Sequence, residues 1–133
     1  MDIHFEIDRV SAAEWDDFVA ATPTGHLLQT SRWGELKSHF GWDQARVAVR
    51  ADGRIVAGAQ VLFRPLPVIG RVRPLTLAYV PKGPLVDYHD PHTWPALLAG
   101  LDELCRQRHA ILLKIEPDEP AAGTASCAIA SAG

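Results

Sequence analysis

Cysteine is nearly missing from this chain of 133 residues: Cys105 and Cys127 are its two, and no Cys-x-x-Cys spacing joins them. That leaves no disulfide framework and no thiolate zinc site, and it fits a reducing compartment. Long apolar runs are lacking too; none approaches the roughly 20 residues that span a bilayer. The opening Met1-Asp2-Ile3-His4-Phe5-Glu6 has no basic stretch followed by an apolar core, so it does not read as a signal peptide. The expectation is a cytoplasmic protein. Phosphate-binding fingerprints are absent as well: there is no Gly-x-x-x-x-Gly-Lys-Ser/Thr and no Gly-x-Gly-x-x-Gly. Nor is there a Gly-x-Ser-x-Gly elbow of the kind that presents a nucleophilic serine. No Gly-rich turn follows either of the strands read at 75–80 and 110–115, where the pyrophosphate of acetyl-CoA would need backbone amides. No cofactor or metal is expected.

Acidic residues are missing from one long stretch. Between Gly53 and Val86 there is no Asp or Glu, while Arg54, Arg64, Arg71, Arg73 and Lys82 are basic. The first twenty residues are acidic instead, with Asp2, Glu6, Asp8, Glu14, Asp16 and Asp17 against Arg9. Net charge is −3, which argues against a surface built as a whole for nucleic acid. The basic stretch reads either as a face for an anionic partner or as a solvated hairpin rim. With 47% apolar and 22% charged residues the composition is that of one folded domain.

Ile3, Phe5 and Ile7 alternate with polar residues, as in a half-buried strand. Ser11 with Glu14 three residues later forms a capping box opening a helix, with Trp15, Phe18 and Val19 on its inner face. Thr22-Pro23-Thr24-Gly25 ends it. A second helix starts near Thr30 or Ser31, its stripe Trp33, Leu36 and Phe40, its stop Gly41. Strands at 45–49 and 55–63 flank Asp52-Gly53, a pair suited to a type I′ hairpin turn. A strand at 75–80 follows, then a helix starting between Asp90 and Pro95 and carrying Leu97, Leu98, Leu101, Leu104 and Cys105. The apolar run 110–115 reads as a central strand buried on both faces. The order βαα–ββ–β–α–β gives an α/β fold with a mixed, partly antiparallel sheet flanked by helices, compatible with an N-acetyltransferase-like (GNAT-like) domain. Residues 121–133 are mostly Ala, Ser, Gly and Thr; they have no apolar stripe and read as a frayed end or a poor helix.

Two runs stand out. In Tyr79-Val80-Pro81-Lys82-Gly83-Pro84-Leu85-Val86-Asp87 two prolines stiffen a turn directly after a strand, with Gly83 free to take angles closed to other residues. In Leu28-Gln29-Thr30-Ser31-Arg32-Trp33-Gly34-Glu35-Leu36-Lys37, Trp33 and Lys37 share a helical face. Lys37 can cover apolar surface with its methylenes while its ammonium stays wet, or meet an anion such as a diphosphate as a compact charge. Gln29 can satisfy open backbone groups or reach a ligand, and Asp87 can cap the segment that follows it. The loop His89-Asp90-Pro91-His92 lacks metal-ligand spacing and reads as solvated. Glu116 and Asp118 sit at a strand end, where open α/β sheets often gather active-site groups, though capping and solvation account for them equally well.

From about His26 to Asp118 the chain resembles the first domain of the FemAB family, the aminoacyl-tRNA-dependent transferases that build peptidoglycan interpeptide bridges. The resemblance implies that Lys37 contacts the diphosphate of a nucleotide- or lipid-linked muropeptide. It implies too that Tyr79, Lys82 and Asp87 shape the rim of the precursor cleft, with Gln29 and Trp33 beside them as substrate-binding residues. It names no catalytic residue. Its implied partners are the peptidoglycan precursor as acceptor and aminoacyl-tRNA as donor. FemAB enzymes carry two N-acetyltransferase-like domains, so residues 1–120 are expected to form an incomplete first domain and 121–133 a poorly ordered tail. The isolated chain is then expected to be inactive, with association through surface that truncation exposes. The rival expectation is a non-enzymatic half-domain that binds an anionic ligand or a partner protein.

Overall fold

A computed structural model describes residues 2–67 and 74–117, together with the backbone of 126 and 127. Six strands form one sheet in the order β1-β2-β3-β4-β5-β6: β1 (Ile3–Ile7), β2 (Asp43–Ala51), β3 (Arg54–Pro65), β4 (Thr76–Pro81), β5 (Ala110–Glu116) and β6 (Ser126–Cys127). All neighbours are antiparallel except β4 and β5, which run parallel and are joined by the crossover helix α3 (Thr93–Gln107). The expected mixed α/β sheet is what forms. Asp52 and Gly53 both take positive φ (51° and 83°), as a type I′ hairpin turn requires.

Strand alternation sorts the sheet into two faces. Ala45, Val47 and Val49 of β2, Ala57, Ala59, Val61 and Phe63 of β3, and Ala78 and Val80 of β4 meet Leu97, Leu101 and Leu104 of α3. Each of those fully buried leucines contributes about 1.5–3 kcal/mol of transfer free energy. The opposite face carries α1 (Ala12–Ala21) and α2 (Ser31–Ser38), with Trp15, Val19, Ala48 and Leu85 packed together beneath α1. A 3-10 turn, Leu27–Gln29, leads into α2.

Several local expectations change. Ser11 does accept from the Glu14 amide at 3.1 Å, but the Glu14 carboxylate turns to Arg50 at 2.9 Å instead of closing a capping box. The stripe read on α2 is not buried: the helix packs through Gly34, which leaves Leu36 47% exposed, and it ends at Ser38, before Phe40, which is 67% exposed. Strand β5 is covered on one face only: Leu113 and Ile115 point to α3 while Ile111 and Leu112 remain exposed. The acid-free basic stretch is described only in part. Arg54 and Arg64 lie ten residues apart on β3, some ~33 Å along a strand, and Arg71 and Arg73 fall outside the described residues. Most of the 121–133 segment is likewise outside them; within it, Ser126 and Cys127 pair with Lys114 and Leu113. No helix among the described residues is long and apolar enough to cross a membrane.

Candidate functional site

The two unusual runs meet at one buried side chain. Strands β3 and β4 pair from Pro65–Thr76 to Leu62–Tyr79, and the same register two residues on would set Gln60 opposite Pro81. Proline has no N–H, so it cannot continue the ladder. The Gln29 amide takes its place: Nε2 donates to the carbonyls of Pro81 (2.7 Å) and Gln60 (3.2 Å), and Oε1 accepts from the Gln60 N–H (2.8 Å). Gln29 is fully buried, and its own carbonyl accepts from Trp15 Nε1 at 2.6 Å. Of the two roles open to Gln29 in the sequence, satisfying backbone groups is the one observed; both ends of its amide are occupied inside the protein.

Gly83 is needed here for room rather than for its angles. A Cβ on it would stand 3.0 Å from Gln29 Cδ and 3.1 Å from Val80 Cγ1. The left-handed residue of the turn is Lys82, at φ 52°. This corrects the expectation that Gly83 supplies the unusual backbone angle. The turn is also tied to β5 by a bridge between Gly83 and Glu116.

From Gln29 the connection runs into α2. Thr30 caps the helix, its Oγ1 accepting from the Trp33 amide at 3.4 Å, and its carbonyl accepts from Gln60 Nε2 at 2.7 Å. Arg46 Nε donates to Gln60 Oε1 at 3.2 Å; burial lowers the pKa of this guanidinium, and Asp16 and Asp8 nearby counter part of that. Asp16 also accepts from the Ser31 amide at 2.7 Å, fixing the first turn of α2 against α1. On α2 the Lys37 ammonium lies 5.3 Å from the Trp33 ring centroid, both side chains half-buried.

Tyr79 belongs to an aromatic and cationic group on the same face of the sheet. Its ring is 6.4 Å from that of Trp42, Arg64 lies 5.5 Å over Trp42, and the Lys114 ammonium lies 5.6 Å over Tyr79. The Tyr79 hydroxyl donates to the Glu116 carboxylate. Burial, reinforced by that anionic acceptor, pushes the Tyr79 phenol up to about 12. The Trp42 backbone N–H donates to the Lys37 carbonyl at 3.3 Å, which ties the chain bearing this ring to the end of α2.

Asp87 stands apart. It is exposed, its Oδ1 accepts from the His89 amide at 2.9 Å, and it borders a groove of about 490 Å³ against Phe18, Thr22, Ile55 and Val56. Trp33 lines a different hollow, about 510 Å³, with Leu27, Arg32, Glu35, Leu36 and His39. Lys82 borders a third, small space beside Thr24, Pro84 and Tyr88. The structure thus joins the α2 run to the strand–turn run through Gln29, while Lys82 and Asp87 border adjoining hollows that share Thr24, Leu85 and Val86, apart from the hollow lined by Trp33. Trp42 and Gln60 escaped the sequence reading altogether, and Arg64 was noticed only as part of the basic stretch. Lys114 had a signal, being the one charge inside an apolar run, and Glu116 was noticed but without its tyrosine partner. Asp118 lies outside the described residues.

Among known proteins, the Lipid II:glycine glycyltransferase of Staphylococcus aureus (strain MRSA252) is 38% identical over 109 residues, 82% of this chain and 25% of that protein. The enzyme of the same name from Staphylococcus aureus (strain bovine RF122 / ET3-1) gives the same figures. The chain therefore spans about a quarter of the curated relatives it matches. A crystal structure of FemX superposes with a TM-score of 0.76 at 37% identity, covering 86% of this chain and 27% of that one. The ribosomal-protein-alanine N-acetyltransferase of Brucella melitensis biovar Abortus 2308 matches with a TM-score of 0.57 at 18% identity, covering 100% of this chain and 98% of its own, which shows the N-acetyltransferase-like fold. The FemAB family model matches residues 10–126, taking in both unusual runs and the Gln29 joint between them. This chain belongs to the FemAB family.

Proposed function

We propose that this chain is the precursor-binding first domain of an aminoacyltransferase that moves an amino acid from aminoacyl-tRNA onto the stem-peptide amine of a peptidoglycan precursor. The observation that carries the reading is the family match over 10–126 together with relatives named as lipid II:glycine glycyltransferases. Transfer of this kind needs the amine held close to the ester carbonyl and the developing oxyanion stabilised, so positioning accounts for most of the chemistry asked of the protein. Gln29 serves that need indirectly: it fixes the Pro81–Pro84 turn against the helix that bears Lys37. In this reading Lys37 is the contact for the precursor diphosphate, with Trp33 holding its stem. Tyr79 forms an aromatic wall, while Lys82 and Asp87, at hollows away from the one lined by Trp33, supply a positive charge and an acceptor to another part of the precursor.

Both substrates of such a reaction are made in the cytoplasm, where this domain would work. The chain spans about a quarter of its relatives, and precursor binding is the role proposed for this part. The second reading is a catalytically inactive half-domain that binds an anionic ligand or a partner protein. Calorimetry of the 133-residue chain with a soluble diphosphate-linked muropeptide tests the first reading. Binding that weakens about 10- to 100-fold in Lys37→Ala is expected, the range for one charge-assisted contact. No binding, or equal binding by the variant, overturns it. Transfer from charged tRNA by this chain alone would overturn the binding-only role.

A further inference from the structure

We infer that the outer face of α2 is a membrane-docking surface that seats this domain on an anionic phospholipid bilayer. The inference rests on the precursor being lipid-linked and on Lys37 as its diphosphate contact. Seven large apolar residues are exposed among the described residues, and three of them cluster here: Leu27 (66%), Leu36 (47%) and Phe40 (67%). Leu36 shares a hollow with Leu27 and the edge of Trp33, and Phe40 stands in the turn just past the end of α2. Isolated exposed leucines need no explanation, but a contiguous set with a tryptophan at its border does.

The geometry of a lipid-linked precursor supplies the explanation. Its diphosphate joins the sugar to the lipid anchor, so it lies at the level of the phospholipid headgroups. A side chain that grips it must reach that level too. The Lys37 ammonium lies over the Trp33 ring, and Trp33 lines the hollow that holds Leu27 and Leu36, so placing that ammonium among the headgroups brings the apolar rim of the hollow towards the boundary with the acyl chains. Trp33, half-buried beside Lys37, has the amphipathic ring favoured at that boundary. Charge agrees with an anionic surface: from Gly25 to Gly41 there are two fixed cations, Arg32 and Lys37, against the single acid Glu35, with His39 on the same rim. The packed side of α2 cannot serve in this way, because Gly34 there lies against Gln44 and Gln60.

The test is co-sedimentation of the 133-residue chain with vesicles of phosphatidylglycerol and phosphatidylethanolamine that contain no precursor, with phosphatidylcholine vesicles as the neutral comparison. Binding stronger on the anionic vesicles is expected. Leu36→Glu and Phe40→Glu, both at exposed positions, should each weaken it about tenfold. Val56→Glu, 41% exposed on the hairpin away from α2, should leave it unchanged. Failure of the wild type to sediment overturns the inference, as does equal binding by all variants. So does a dimer in analytical ultracentrifugation that Leu36→Glu dissociates, since the face then belongs to a second copy. Vesicle binding is read without precursor and muropeptide binding without vesicles, so failure of either leaves the other result standing.

Discussion

Replacing Gln29 with methionine keeps its length and burial but removes every hydrogen bond its side chain makes. Three backbone groups lose their partner: the Gln60 N–H at 2.8 Å, the Pro81 carbonyl at 2.7 Å and the Gln60 carbonyl at 3.2 Å. An orphaned buried polar group costs about 1–3 kcal/mol, and the longest of the three bonds counts least, so the expected loss is about 3–5 kcal/mol. Against a total stability of roughly 5–15 kcal/mol for a domain, that brings the protein close to unfolding. Gln29→Glu separates the donor role from simple packing. Ionised, it would aim a buried negative charge at two carbonyl oxygens, so its pKa in the folded state must rise above the unfolded value of about 4.3. A carboxyl raised in this way is tolerated best below the unfolded pKa, where it is protonated in both states. Its stability then falls as pH increases towards the folded pKa. Urea denaturation followed by circular dichroism at pH 4.5 and pH 7.5 reads both effects. The reasoning fails if Gln29→Met costs less than about 1 kcal/mol, or if the deficit of Gln29→Glu relative to wild type does not change with pH.

Three further outcomes are expected. Gly34→Ala would place a Cβ 2.2 Å from Gln44 Oε1 and 2.9 Å from Gln60 Oε1; despite alanine's better helix propensity the variant should lose about 1–3 kcal/mol in a thermal melt, and a gain would refute the close packing of α2. Arg50 hydrogen-bonds Glu6 and Glu14 and holds both carboxyls below the usual glutamate value of 4.5. Groups lowered in this way stabilise the fold above pH 4.5 and lose that contribution as pH falls further, so Arg50→Met should flatten the acid limb of a stability–pH curve, and an unchanged limb would count against the cluster. Absorbance titration should show a tyrosinate step near pH 12 that disappears in Tyr79→Phe; with a phenol raised from 10, any associated stability is lost as pH climbs from 10 towards 12.

Local chemistry made most of the secondary structure legible in the sequence. Asp52-Gly53 marked the hairpin because a type I′ turn admits few residues, and the spacing from Leu97 to Cys105 marked α3 because one stripe of it had to be buried. What stayed hidden was set by long-range docking. Trp33, Leu36 and Phe40 have helical spacing, yet α2 packs through Gly34 and leaves Leu36 and Phe40 outside, a choice made by Gln44 and Gln60 on the sheet. The apolar run of β5 signalled burial on both faces, but α3 covers only one. At the candidate site, the residue types of both unusual runs were visible, while the pairings of Tyr79 with Glu116 and of Trp42 with Arg64 depend on strand register, which periodicity does not reveal.

A proline placed where two strands part leaves a gap that the strands themselves cannot mend. Here the missing rung is supplied from a residue 52 positions upstream of Pro81. Beyond that rung the two segments meet again in the Gly58–Leu85 bridge, so the borrowed side chain fills a hole inside the ribbon rather than extending its end. Closing a loop of that length costs entropy, which the hydrogen bonds of Gln29 have to offset.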